Sequence, residues 1–305
     1  MDILKKNLLK EVSGLEELPK GAYNIRVDGK KYARQNSANI EIRAKEDKDG
    51  IDIIIKRSTQ NESVHIPVIL TQNGLKDMVY NDFFIEDGAN VTIVAGCGIH
   101  NCDDATSEHS GIHTFYVGKN AKVKYIEKHY GEGGESAKRI LNPVTNAFIE
   151  DGGKLEILTT QIRGVDEAER TTYACLKDNA TLVINEKIFT SSSQVAQTNF
   201  KVDLNGKNSS VQVTSRSVAE NNSRQAFKSE INGNNLCFGH VECDAIIKDN
   251  GKVSSTPEIS ANHIDASLVH EAAIGKIAGD QIVKLQTLGL TAEEAESAII
   301  AGFLK

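Results

Sequence analysis

The sequence predicts a mainly β protein, a solenoid of stacked coils with a short helix at its start and two helices at its end. Three observations carry that reading. Runs of alternating apolar and polar residues fill the middle of the chain. One turn phrase recurs there with a period of roughly 30 residues, and the apolar spacing becomes helical only at the two ends.

Taken in order, Ile3, Leu4, Leu8, Leu9 and Val12 fit one face of a short amphipathic helix, so residues 1–20 form a helical segment. From about Gly21 the pattern alternates: NIEIRA, GIDIIIK, NVTIVAG, KVKYIEK, KLEILTT, TLVINEK and VQVTSRS, separated by Asp, Asn and Gly. The recurring phrase reads EDGANVTI, VGKNAKVKY, EDGGKLEIL, KDNATLVI, NGKNSSVQV and KDNGKVSS. Steps of 32, 32, 27 and 29 residues separate the equivalent positions Val91, Val123, Leu155, Leu182 and Val211. Such units bury their apolar faces only by stacking on one another. A β-sandwich has equally short strands but predicts no regular period. No linker rich in Pro, Gly or Ser divides the chain, and residues 21–265 read as one β unit. From about Ala272, Ile274, Ile277, Ile282, Leu285 and Leu288 fall at helical spacing. Gly289 is a stop signal, Thr291 with Glu294 is a capping box, and Ala295, Ala298, Ile299 and Phe303 make a second helical face. Residues 266–305 therefore read as a helical region, suited to capping the open end of the solenoid or docking a partner.

Composition narrows the function. Hydrophobic residues at 39% can build a core, but with aromatics at 5% and no Trp it must rest on Val, Ile, Leu and Ala. A net charge of −7 argues against nucleic acid or an anionic membrane as partner. There is no apolar run of about 18 residues and no signal-peptide core. Five cysteines in such a chain predict free thiols in the cytoplasm. No G-x-x-x-x-G-K-[ST] loop, G-x-S-x-G elbow or C-x-x-C pair occurs.

Three clusters could carry chemistry. Cys97, His100, Cys102, His109 and His113 lie within 17 residues and could hold zinc or iron, or fill core and turn positions. In Cys237-Phe-Gly-His240-Val-Glu242-Cys243-Asp244, strand alternation would turn Cys237 and Cys243 to one face and His240 and Glu242 to the other. His270-Glu271 stands where the β pattern gives way to helical spacing. Glu271 there could favour a helix N-terminus, or the pair could ligate metal at the end of the solenoid.

The C-terminal stretches SSTPEISANHIDASLVHEAAIGKI and DQIVKLQTLGLTAEEAESAIIAGFL resemble the SufB/SufD family of iron–sulfur cluster assembly scaffold proteins. The matching elements are the HEA-x-x-G-[KR]-I core, the Q-x-x-x-L-x-[ST]-x-G-[IL] helix and the E-E-A…I-x-x-G-F ending. The segment AGCGIHNCDDATSEHSGIHTFYVGKNAKVKYIEKHYGEG looks like the short archaeal and anaerobic-bacterial form. The resemblance implies a right-handed β-helix core, dimerisation through it, and docking of a SufC-type ABC ATPase on the C-terminal helices. It implies a transient iron–sulfur cluster, a sulfur donor and apo-protein acceptors. The essential thiol of SufB-like members carries over to Cys243, 27 residues before His270, and the HEA motif to His270 and Glu271 as metal residues. His-Glu at this motif favours SufB character over SufD. Cys237, His240, Glu242, Cys97, Cys102 and His100 remain further candidate ligands. The competing readings are a SufD-like structural partner without its own cluster and an independent metalloenzyme using the Cys97–His113 cluster.

Overall fold

The computed structural model describes residues 2–305, with the backbone alone of Arg163. Among the described residues it contains twenty strands and three helices, arranged as a β-solenoid of about eight turns. From Gln60 onward the strands run in two facing sheets, and each except the last of either sheet pairs in parallel with strands one coil earlier and one coil later. The positions equated by the turn phrase stack directly. Val91, Val123, Leu155, Leu182 and Val211 are consecutive register partners, and the series continues to Gly239 and Leu268. Most of the turns pass through a left-handed residue. In the recurring phrase Asn120, Asn179, Asn208 and Asp249 adopt positive φ, as do Gly88 and Gly152 in the other copies, and Asn221 does so in a turn outside the phrase.

The two ends of the solenoid differ. At the N-terminal end the chain reverses in two antiparallel hairpins, Ala22–Val27 with Lys30–Gln35 and Ile40–Ala44 with Gly50–Ile55. Helix α1 (Ile3–Ser13) lies across the outside of the first sheet and buries Leu8, Leu9 and Val12, while Ile3 stays exposed. At the C-terminal end the strands Lys252–Ala261 and Ala266–Gly275 each have a parallel neighbour on one side only.

Two expectations are corrected here. The stretch around His270 is not a strand-to-helix junction, because Ala266–Gly275 pairs along its length with Cys237–Ile247. That pairing overrides the helical spacing at Ala272 and Ile274, and helix α2 begins only at Gly279 (Gly279–Gln286). Glu271 therefore sits at no helix N-terminus. Nor does helix α3 (Ala292–Phe303) lie over the open end of the last coil. Started by the Thr291–Glu294 capping box, it folds back over the outer face of the first sheet. Glu296 meets Lys248 at 2.9 Å, and the Phe303 ring lies 6.0 Å from the Arg216 guanidinium. Gly289 adopts positive φ between α2 and α3, as a stop residue should.

Candidate functional site

The site is best built from the columns of side chains that stacking creates inside the solenoid. One column runs Ile93, Tyr125, Ile157, Ile184, Val213, Val241 and ends in His270. The next column runs Ala95, Glu127, Thr159, Glu186, Ser215, Cys243 and Ala272. The first column is apolar but for the Tyr125 hydroxyl until His270 replaces the expected aliphatic residue. The second is polar through its middle, and Cys243 is its last reactive group.

Cys243 is 1% exposed and shares the inner face of its strand with Cys237 and Val241. Burial pushes its thiol up to about 11, against the pull of a hydrogen bond with Ser255. The Ser255 hydroxyl also stands 3.4 Å from Nε2 of His270, and the Ser229 hydroxyl stands 3.5 Å from its Nδ1. Ser255 is thus the common neighbour of the thiol and the imidazole. Burial and the nearby His240 lower the His270 pKa, favouring the neutral ring that binds metal. Phe227 closes one side of the ring at 6.5 Å between centroids.

Strand alternation splits the His270-Glu271 pair. His270 turns into the lumen and Glu271 turns out, in register with Glu242. Outside the wall, Glu271 stands 3.7 Å from His240 Nε2. The Glu242 carboxyl is raised by its hydrogen bond with Asp244 and then by burial. The predicted residues therefore form an inner pair, Cys243 and His270, and an outer trio, His240, Glu242 and Glu271. Cys237 shares the inner face, but it lies six residue steps along the strand from Cys243, roughly 20 Å. Ser255 and Ser229, which contact both sides of the inner pair's imidazole, come from the opposite sheet and were not among the sequence candidates.

The Cys97–His113 cluster is also divided. Cys97, His109 and His113 are buried in the lumen, whereas Cys102 is exposed and His100 lies on the outer face. Inside, Tyr125 joins His113 to Glu127, and Arg170 bonds Glu127 at 2.6 Å and approaches Glu186 at 3.7 Å. His109 bonds Asp77 at 3.1 Å. Burial raises the Cys97 thiol well above its ordinary value. Cys97 is five coils from the level of Ala245, about 24 Å along the axis. Among the described residues, no three of the His, Cys, Asp and Glu side chains converge as a ready metal cage. No described helix is long and apolar enough to cross a membrane.

An inward thiol beside an imidazole on the last coils of a parallel solenoid defines a class: β-solenoids with a thiol site at one end. Residues 71–303 match the family "SUF system FeS cluster assembly, SufBD core domain", and the chain belongs to this family. It is similar to the "Iron-sulfur cluster assembly SufBD family protein" of Archaeoglobus fulgidus, with 29% identity over 82% of this chain and 67% of that protein. The corresponding protein of Methanocaldococcus jannaschii is 28% identical over 83% of this chain and 79% of its own length. That of Pyrococcus horikoshii is 27% identical over 92% and 86%.

Proposed function

We propose that this chain is a scaffold on which a nascent iron–sulfur cluster is built and from which it is passed to apo-proteins. It works in the cytoplasm as a homodimer joined through the open C-terminal coils. A SufC-type ABC ATPase docks on α2 and α3, so the energy-consuming step belongs to the partner. The observation that carries the reading is the Cys243–Ser255–His270 contact at the uncovered end of the solenoid, in a chain of the SufBD family. Iron of a cluster takes thiolate first and imidazole as an exchangeable alternative, which suits a site that must release its cargo. A thiol pushed to about 11 is protonated at rest, so iron binding there must release a proton. Opening of the last coils by the ATPase would hydrate Cys243, lower its pKa and expose His270. His240, Glu242 and Glu271 on the outer wall would deliver iron to the rim, and Cys97, Cys102, His100 and Cys237 stand too far away to join the same cluster.

Anaerobic reconstitution with iron and sulfide tests this, on wild type and Cys243→Ser, with and without the ATPase and ATP. The expected result is a visible charge-transfer spectrum with bound iron and sulfide in wild type, absent in Cys243→Ser. Equal clusters in both proteins would remove Cys243 from the site, and no cluster in either would favour the structural-partner reading.

A further inference from the structure

A second thiol lies on the outside of the solenoid, away from the Cys243 site. Cys102 is exposed in the turn after the strand Asn90–Asn101, with its Sγ 3.1 Å from Nε2 of His100. The other ring nitrogen, Nδ1, stands 3.2 Å from Oε1 of Glu132, the register partner of His100 on the next coil. The second Glu132 oxygen accepts from the Tyr130 hydroxyl at 3.1 Å, which fixes the carboxylate. A carboxylate only accepts, so the neutral His100 ring must carry its proton on Nδ1, leaving the Nε2 lone pair for the Cys102 S–H. Because the two nitrogens serve opposite partners in a line, the arrangement is nucleophile, base and orienting group rather than a metal cage.

We propose that Cys102, His100 and Glu132 form a surface centre for sulfur–sulfur exchange, acting on S–S bonds presented by another molecule. His100 Nε2 takes the thiol proton as Cys102 Sγ attacks one sulfur. A new S–S bond to Cys102 forms as the old one breaks, and the departing thiolate recovers the proton from the imidazolium. One S–S bond replaces another, so no separate oxidant or reductant is consumed. Cys102 is the nucleophile, His100 the base, and Glu132 a positioning residue. Asp103 and Asp104 beside the thiol favour an uncharged substrate over an anionic one.

The test uses the full chain with dithiodipyridine, an uncharged disulfide whose released thiopyridone is coloured, and peptide mass spectrometry to assign each modified thiol. Cys175, half-buried elsewhere on the solenoid, is the internal control. Cys102 is expected to react first, and His100→Gln to slow it about tenfold or more, in line with the loss of a general base, while Cys175 is unchanged. Glu132→Gln is expected to slow Cys102 likewise and to shift the His100 tautomer seen by nitrogen NMR of the imidazole, a signature that a purely structural role would not produce. A Cys102 rate unaltered by both variants, or no faster than that of Cys175 in wild type, overturns the proposal. Neither outcome depends on cluster assembly at Cys243.

Discussion

His113 is enclosed in the lumen, where its Nδ1 bonds the Tyr125 hydroxyl at 2.7 Å and Asn81 approaches its Nε2 at 3.2 Å. Burial, reinforced by His109, His129 and Arg170 against the attraction of Glu127, lowers its pKa to about 4. The same ring in an unfolded chain titrates at about 6.5. Between those two values the unfolded chain binds a proton that the folded chain refuses, so stability must fall as pH drops through that window. The difference amounts to about 3 kcal/mol for this one group. Glu127 acts in a lower window. Burial pushes its carboxyl up, but Arg170 and His129 outweigh burial and hold it well below the usual range. Its contribution is therefore present above about 4.3 and lost as pH falls below that. Urea unfolding at a series of pH values should show a slope between about pH 6.5 and 4 that is visibly shallower in His113→Gln. An identical slope in the variant would mean that the other lumenal histidines carry the effect.

At the scale of elements, α1 is held by an absence of side chain. A Cβ on Gly96 would stand 2.4 Å from the Val12 carbonyl oxygen and 2.8 Å from that of Lys128, so helix and sheet meet backbone to backbone. Gly96→Ala should lift the helix and cost about 1–3 kcal/mol, and amide exchange over residues 3–13 should rise while the coils from Leu155 onward are unchanged. Loss of protection throughout the chain would instead make α1 part of the folding unit of the whole solenoid. This contact is not legible in the sequence, where AGCG reads only as a small-residue run. The coil register is legible, because every coil repeats one turn and one apolar start, and Val91 through Val211 could be equated from the sequence alone. The inward direction of Cys243 is legible for the same reason, since alternation along one strand is a local rule. The last strand is not, because Ala272, Ala273 and Ile274 fit a helix equally well and only pairing with Cys237–Ile247 decides between them. Ser255 and Ser229 are hidden for a further reason: they reach His270 from the facing sheet, and no local pattern states which residues of two sheets meet.

The whole molecule is a one-dimensional stack with unequal ends. In such a stack each interior coil is stabilised by two interfaces, and an end coil by one. Antiparallel hairpins finish the N-terminal end by reversing the chain, so its edges are short and distinct from the parallel coils. Among the described residues the C-terminal end has no such hairpin. Lys252–Ala261 and Ala266–Gly275 present ten-residue parallel edges, and Ile259, Val269 and Ile274 on them are exposed apolar groups. An edge of that length with unpaired backbone groups is a template for a further strand, and under the proposed homodimer a second copy would supply one of matching length. Under the homodimer reading, the coils that pair are the ones holding His270 and flanking Cys243, so assembly state and thiol access are the same variable. Amide exchange measured over a concentration series should therefore show protection of residues 252–261 and 266–275 that grows with protein concentration. Coils upstream of Gly233 should be indifferent to dilution, and alkylation of Cys243 should quicken on dilution in step with the loss of protection. Protection of these two strands that is independent of concentration, with Cys243 equally unreactive throughout, would mean that the last coils are stable by themselves and that the dimer, if formed, lies elsewhere.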